Sequence, residues 1–226
     1  MPGAGVHSTL DRSTMAAFTE RRRTPAQRRS VDPTVLIFID FEASSLGKHG
    51  FPIEVGWAAE DGTEEGHLIK PAPGWDDWSA EAERIHGIPL ERLLREGEPH
   101  ADVAARMIER LDGHDLAASA PSWDGQWLSK LLRASGLPRH RLRLRDADDA
   151  MREAARATLE EAGAPRIQPW LVQQLLDAAR ATLAGEEVAH RAVDDARREL
   201  RAWQEMRRRA RAFMTGIHGA DDNARL

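Results

Sequence analysis

Residues 35–43 read VLIFIDFEA: five apolar side chains in a row, then carboxylates at alternate positions, Asp40 and Glu42. The β-branched and aromatic content, Pro33 ahead of it and the Ser44-Ser45-Leu46-Gly47 loop behind it mark a strand buried on both faces. Side chains alternate along a strand, so Leu36, Phe38, Asp40 and Glu42 share one face, and Ile37, Ile39 and Phe41 share the other. A rise of about 3.3 Å per residue puts the two acidic Cα atoms about 6.6 Å apart. Charges ending an apolar strand need water or cations. On this feature alone they also suit wet loop positions beyond a strand ending at Ile39.

Outward from this strand, Ile53–Ala59 and Gly66–Ile69 read as two more strands about the turn Glu60-Asp61-Gly62. Helical periodicity follows near 79–85 and 101–111, then a short strand at 116–120, a helix over 123–135 and a strand at 141–145. From Asp149 the pattern is helical, broken at Gly163-Ala164-Pro165 and at Gly185, and a last helix runs from about 191 to 212. Three strands, then alternating helix and strand, then helices, predict a mixed α/β domain over 33–213. Residues 1–32, rich in Gly, Pro, Ser, Thr and Arg, read as a disordered basic arm, and 214–226 as a flexible tail.

Composition narrows the chemistry. The 226 residues contain no Cys, which excludes disulfides, thiolate metal sites and Cys nucleophiles, so a metal here must be held by carboxylates and His. No apolar run approaches the roughly 18 residues of a spanning helix, so the expectation is a cytoplasmic protein away from membranes. The net charge of -5 hides a segregation: the ends are basic and residues 33–195 carry -12. Ordinary solvated surface explains most of that, and acids that hold divalent cations would contribute. The Arg-rich arm and last helix are the expected regions to meet phosphate.

Two later acidic motifs join the first. In SAPSWDGQWL (119–128) Asp124 falls in the first turn of a helix, where the helix dipole alone would also favour an acid. In AHRAVDDA (189–196) Asp194 shares a helix face with Arg198 and Arg201, whereas Asp195 lies at the edge of the buried stripe Val193, Ala196, Leu200, Trp203, Ala210 and Met214. His190 would reach the same place from the loop before the helix, as a proton acceptor or simply as a surface or cap residue. Hard oxygen ligands suit Mg²⁺ or Mn²⁺, and phosphoryl-transfer sites often hold two such ions. Trp123 and Trp127 fit a helix's apolar stripe. Trp75 and Trp78, in the polar PGWDDWS stretch, are the better candidates for exposed base-stacking residues.

The order of IFIDFEASSLG (37–47), SAPSWDGQWL and AHRAVDDA resembles the DEDDh, or DnaQ-like, 3′–5′ exonucleases over about residues 34–205, with PIEVG (52–56) and IHGI (85–88) as further landmarks. The resemblance implies an RNase H-like fold: a mixed central sheet with strands 1–3 antiparallel, flanked by helices. It further implies two Mg²⁺ or Mn²⁺ ions on Asp40, Glu42, Asp124 and Asp195, with His190 as general base and 5′-mononucleotides released from a nucleic-acid 3′ end. Phe41, Ala43 and Ser44 stand where the family contacts the terminal nucleotide. The motif departs in reading Glu-Ala-Ser-Ser, and Ala120-Pro121 replace a frequent Asn-Ala. Many members dimerise, so a homodimer is among the states implied, and any polymerase partner would be a separate chain. The rival reading is a nucleic-acid-binding or regulatory protein of the same fold without turnover. An aspartyl-phosphate phosphohydrolase of another fold would want Asp at position 42, where Glu stands.

Overall fold

The computed structural model describes residues 34–164, 166–185 and 189–223, with side chains as far as Thr215; the basic arm lies outside the described residues. Chain order is β1 (Leu36–Ala43), β2 (Pro52–Ala59), β3 (Glu64–Lys70), α1 (Ala80–His86), α2 (Leu90–Glu96), β4 (Glu98–Pro99), α3 (His100–Leu111), β5 (Asp115–Ala118), α4 (Pro121–Ala134), β6 (Leu144–Asp146), α5 (Ala147–Glu161), α6 (Pro169–Leu183) and α7 (Ala192–Asn223). The strands form one sheet in the order β4-β3-β2-β1-β5-β6. β1–β2 and β2–β3 pair antiparallel, and β1–β5, β5–β6 and β3–β4 pair parallel.

Alternation along β1 sorts its side chains into two cores. Leu36 and Phe38 join Ala58 and Ala117 beneath α5, α6 and α7. Ile37, Ile39 and Phe41 join Val55, Trp57 and Ile69 against α3 and α4. Asp40 and Glu42 therefore continue the face that α7 covers, at the carboxyl end of the strand. The register pairs Asp40 with Gly56 and Glu42 with Glu54.

Gly56 is what lets α7 come close. A Cβ there would lie 2.2 Å from the Val193 nitrogen, and at Gly66 one would meet the Val193 side chain at 3.3 Å. The first turn of α7 thus sits directly on β2 and β3. Along the rest of α7, Ala196, Leu200, Trp203, Met206, Ala210 and Met214 are buried. Arg180 of α6 donates to Glu199 on α7 and Asp148 on α5, fastening the three helices together.

Several boundaries differ from the periodicity. β6 is 144–146 rather than 141–145, because the Arg-Leu alternation starts in a loop that buries Leu142 and exposes Arg141 and Arg143 without pairing to a neighbouring strand. α2 and β4 are short elements that the sequence pattern does not announce. α7 runs on to Asn223, into the segment read as a tail.

Candidate active site

Three stretches far apart in sequence meet where β1 ends. β1 supplies Asp40 and Glu42. The first turn of α4 supplies Asp124, whose N–H donates to the Ala120 carbonyl in a helix opened by Pro121. The start of α7 supplies Asp195, and the residue two before the helix is His190.

Glu42, His190 and Asp195 each offer a ligand atom within 4.8 Å of the others. Asp40 and Asp124 stand outside that trio and border, with Glu42, a cleft of about 290 Å³. Asp194, the neighbouring acid, turns away to pair with Arg197 at 2.5 Å rather than with Arg198.

The carboxylates, half-buried apart from the buried Asp124, repel one another. Burial, then the charges of Asp124, Glu42 and Asp195, raises the Asp40 carboxyl well above its usual range. Burial, then Asp195 and Glu54, pushes Glu42 up to about 7, against an opposing pull from Arg191. Burial pushes Asp124 up to about 7, although nearby backbone amides of Ala120 and Phe41 pull it down. Asp195 is raised by burial and drawn back by His190. The Asp124 Oδ2 atom is buried with no hydrogen-bond partner among the described residues. An orphaned carboxylate oxygen beside three other acids fits a divalent cation, whose charge would offset the repulsion.

His190 is held in an unusual backbone conformation, φ 47°, in the left-handed region that non-glycine residues rarely adopt. The next residue anchors it. Arg191 donates to the buried Glu54 carboxylate through Nη2 at 2.6 Å and Nε at 3.1 Å, and the Ala192 N–H adds a bond at 3.1 Å.

Of the residues expected to touch a substrate, Phe41 and Ala43 line the cleft. Ser44 does not: it is fully buried, and its hydroxyl accepts from the Phe51 N–H at 3.0 Å. Ser45 lines the cleft instead, donating to Asp77 at 2.5 Å. The tryptophans also divide differently. Trp75 and Trp78 pack on Phe51, with ring centroids 5.3 and 6.3 Å away. Trp127 is buried as expected, but Trp123, stacked on it at 6.0 Å, is 43% exposed and lines the cleft.

Strand and helix periodicity give no role to Leu46, Ile85 and His86. All three line the cleft, Leu46 and Ile85 being exposed. His86 is buried, its Nδ1 accepts from the Ile88 N–H, and its Nε2 has no partner among the described residues. Burial holds the His86 pKa down, favouring the neutral ring. The IHGI landmark was the signal for this wall.

No protein-family profile matches the chain, and no curated protein does. Solved structures do. The zinc-bound E. coli exonuclease I–single-stranded DNA complex superposes with a TM-score of 0.56 at 18% identity, covering 81% of this chain and 42% of that one. Exonuclease I from Methylocaldum szegediense gives 0.56 at 19% identity, with 80% and 42% covered. E. coli exonuclease I with a dA16 oligonucleotide gives 0.55 at 18%, again with 80% and 42% covered. The chain thus spans less than half the length of the exonucleases it matches. Among the described residues no helix is long and apolar enough to cross a membrane. With its antiparallel β1–β3 entry, parallel β5 and β6 and flanking helices, the chain has the RNase H-like fold of exonuclease I.

Proposed function

We propose that residues 33–213 form a metal-dependent 3′–5′ exonuclease domain that hydrolyses the terminal phosphodiester of a nucleic acid and releases a 5′-mononucleotide. The observation that carries this reading is the convergence of Asp40, Glu42, Asp124 and Asp195 with His190 at the end of β1. The exonuclease I fold, and the single-stranded DNA and the dA16 oligonucleotide named in two of the matched structures, support it.

Asp40, Glu42, Asp124 and Asp195 would hold two Mg²⁺ or Mn²⁺ ions. When bound, such ions stabilise charge on the attacking and leaving oxygens. His190, beside Glu42 and Asp195, takes the proton of the attacking water at a ring nitrogen. Its strained backbone, fixed through Arg191 and Glu54, keeps that nitrogen turned toward the carboxylates. Trp123, Ile85 and Leu46 flank the terminal base, and the backbone of Phe41 to Ala43 lies along the sugar.

End-labelled DNA and RNA, single- and double-stranded, incubated with the protein and Mn²⁺ test the assignment. Stepwise shortening from the 3′ end that Asp40→Ala abolishes is the expected result. Undiminished cleavage by that variant refutes it, and binding without metal-dependent cleavage favours a non-catalytic nucleic-acid-binding protein of this fold.

A further inference from the structure

The segment 138–145, PRHRLRLR, carries four arginines in alternation, and the structure treats them unequally. Arg141 pairs with Asp112 at 2.5 Å, and Arg145 pairs with Asp115 at 2.5 Å and Glu153 at 2.6 Å. Arg139 and Arg143 have no acidic partner or hydrogen bond among the described residues, nor has His140, and all three are exposed. They border an open pocket of about 420 Å³ whose other wall is the second turn of α4: Gly125, Leu128 and Ser129.

That wall places the pocket next to the carboxylate cleft. Trp123, Asp124 and Trp127 line the cleft, and Gly125, Leu128 and Ser129, on the adjoining flank of the same helix, line the pocket, with Leu128 one turn beyond Asp124 linking the two. From Asp124 to Ser129 the helix rises about 7.5 Å, comparable to about two stacked nucleotides of a strand. The arginines of α7 are differently placed. Arg197 pairs with Glu64 and Asp194, Arg207 lies over Trp203, and Arg208 and Arg209 share Glu205.

We propose that Arg139, His140 and Arg143 form a phosphodiester-binding site for the body of the strand whose 3′ end enters the cleft, a role that rests on the exonuclease reading. Guanidinium forks match phosphate oxygens, and an unpaired guanidinium gives up no internal partner when it engages one. The occupant is a single strand, threaded from the cleft across the first turns of α4.

Binding and cleavage separate this site from the reading beneath it. Affinity of the full chain for a fluorescein-labelled 20-nucleotide oligothymidylate, titrated with salt in EDTA, gives the slope of log K against log salt. Arg139→Ala/Arg143→Ala should reduce that slope by about 1.4, at about 0.7 for each phosphate contact on a single strand. Arg207→Ala/Arg208→Ala, an equal loss of charge, should leave it at the wild-type value. An unchanged slope in the first double variant, or no strand binding by the wild type, overturns the site. Loss of polyglutamate binding with the oligonucleotide slope intact overturns it in favour of an acidic polypeptide. A slope loss in a protein that never cleaves with Mn²⁺ upholds the site and fails the exonuclease reading, and normal cleavage with no slope loss does the reverse.

Discussion

Glu54 receives Arg191 through both Nε and Nη2, across 137 residues of chain, and the same carboxylate also accepts the Ala192 N–H. The pair joins the sheet to the segment entering α7 at the residue next to His190, so it is what would aim His190 in its proposed role as general base. Glu54→Gln keeps the shape and discards the charge. We expect kcat to fall about 10- to 100-fold, as for partners that orient metal-site ligands, with KM little changed. Glu54→Asp should recover part of the loss. Wild-type kcat in Glu54→Gln would show that His190 needs no such anchor.

Gly56→Ala tests the contact between sheet and helix. A Cβ at 2.2 Å from the Val193 nitrogen cannot be absorbed by a flexible side chain, so α7 must lift. Overpacking of this kind costs about 1–3 kcal/mol, and a displacement near 1 Å at Asp195 lowers turnover about 100-fold. Thermal melts and single-turnover rates measure both. A variant that melts and cleaves like wild type would mean the helix start is not seated as described.

The acid cluster makes stability depend on pH in a direction opposite to that of salt-bridged carboxylates. Asp124 titrates near 3.8 when unfolded and about 7 when folded, so between those values the folded chain binds the extra proton. Stability in EDTA therefore falls as pH rises through that window and stays lower above it. Asp124→Asn removes this liability. At pH 8 in EDTA it should melt about 3–6 °C higher than wild type, or about 1–2 kcal/mol, and the gap should narrow toward pH 5. Mn²⁺ should stabilise wild type more than the variant. A variant that melts lower at pH 8 without metal would mean the Asp124 carboxylate is already compensated.

Two tryptophans should behave in opposite ways. Trp123→Ala should raise KM for oligonucleotides about 5- to 150-fold, in keeping with about 1–3 kcal/mol for a stacked base, and leave the melt almost unchanged. Trp75→Ala, which removes a ring stacked on Phe51 and beneath Lys130, should lower the melt by several degrees. Equal KM values for Trp123→Ala and wild type would remove this ring from the substrate path.

Strand alternation and helix phase, both local, made much of this legible. They place Asp40 and Glu42 on one face of β1, and they separate Asp195 from Asp194. What escaped depends on residues distant in sequence. PGWDDWS looks solvated until Phe51 is brought beneath its rings. Ser44 and Ser45 are indistinguishable as letters, and only the Phe51 amide decides which hydroxyl is consumed. The four arginines of 138–145 look alike until Asp112, Asp115 and Glu153 neutralise two of them. Glu54 reads as an acid inside an apolar strand, with nothing nearby to announce Arg191.

The β1–β2 register leaves this strand unable to absorb a length change. Losing or gaining one residue ahead of Asp40 would turn both acids toward Val55 and Trp57 and turn Ile39 and Phe41 toward α7. Length variation among descendants of this chain should therefore collect in the connection at 44–51 or beyond β3, while the span from Leu36 to Glu42 keeps a fixed count.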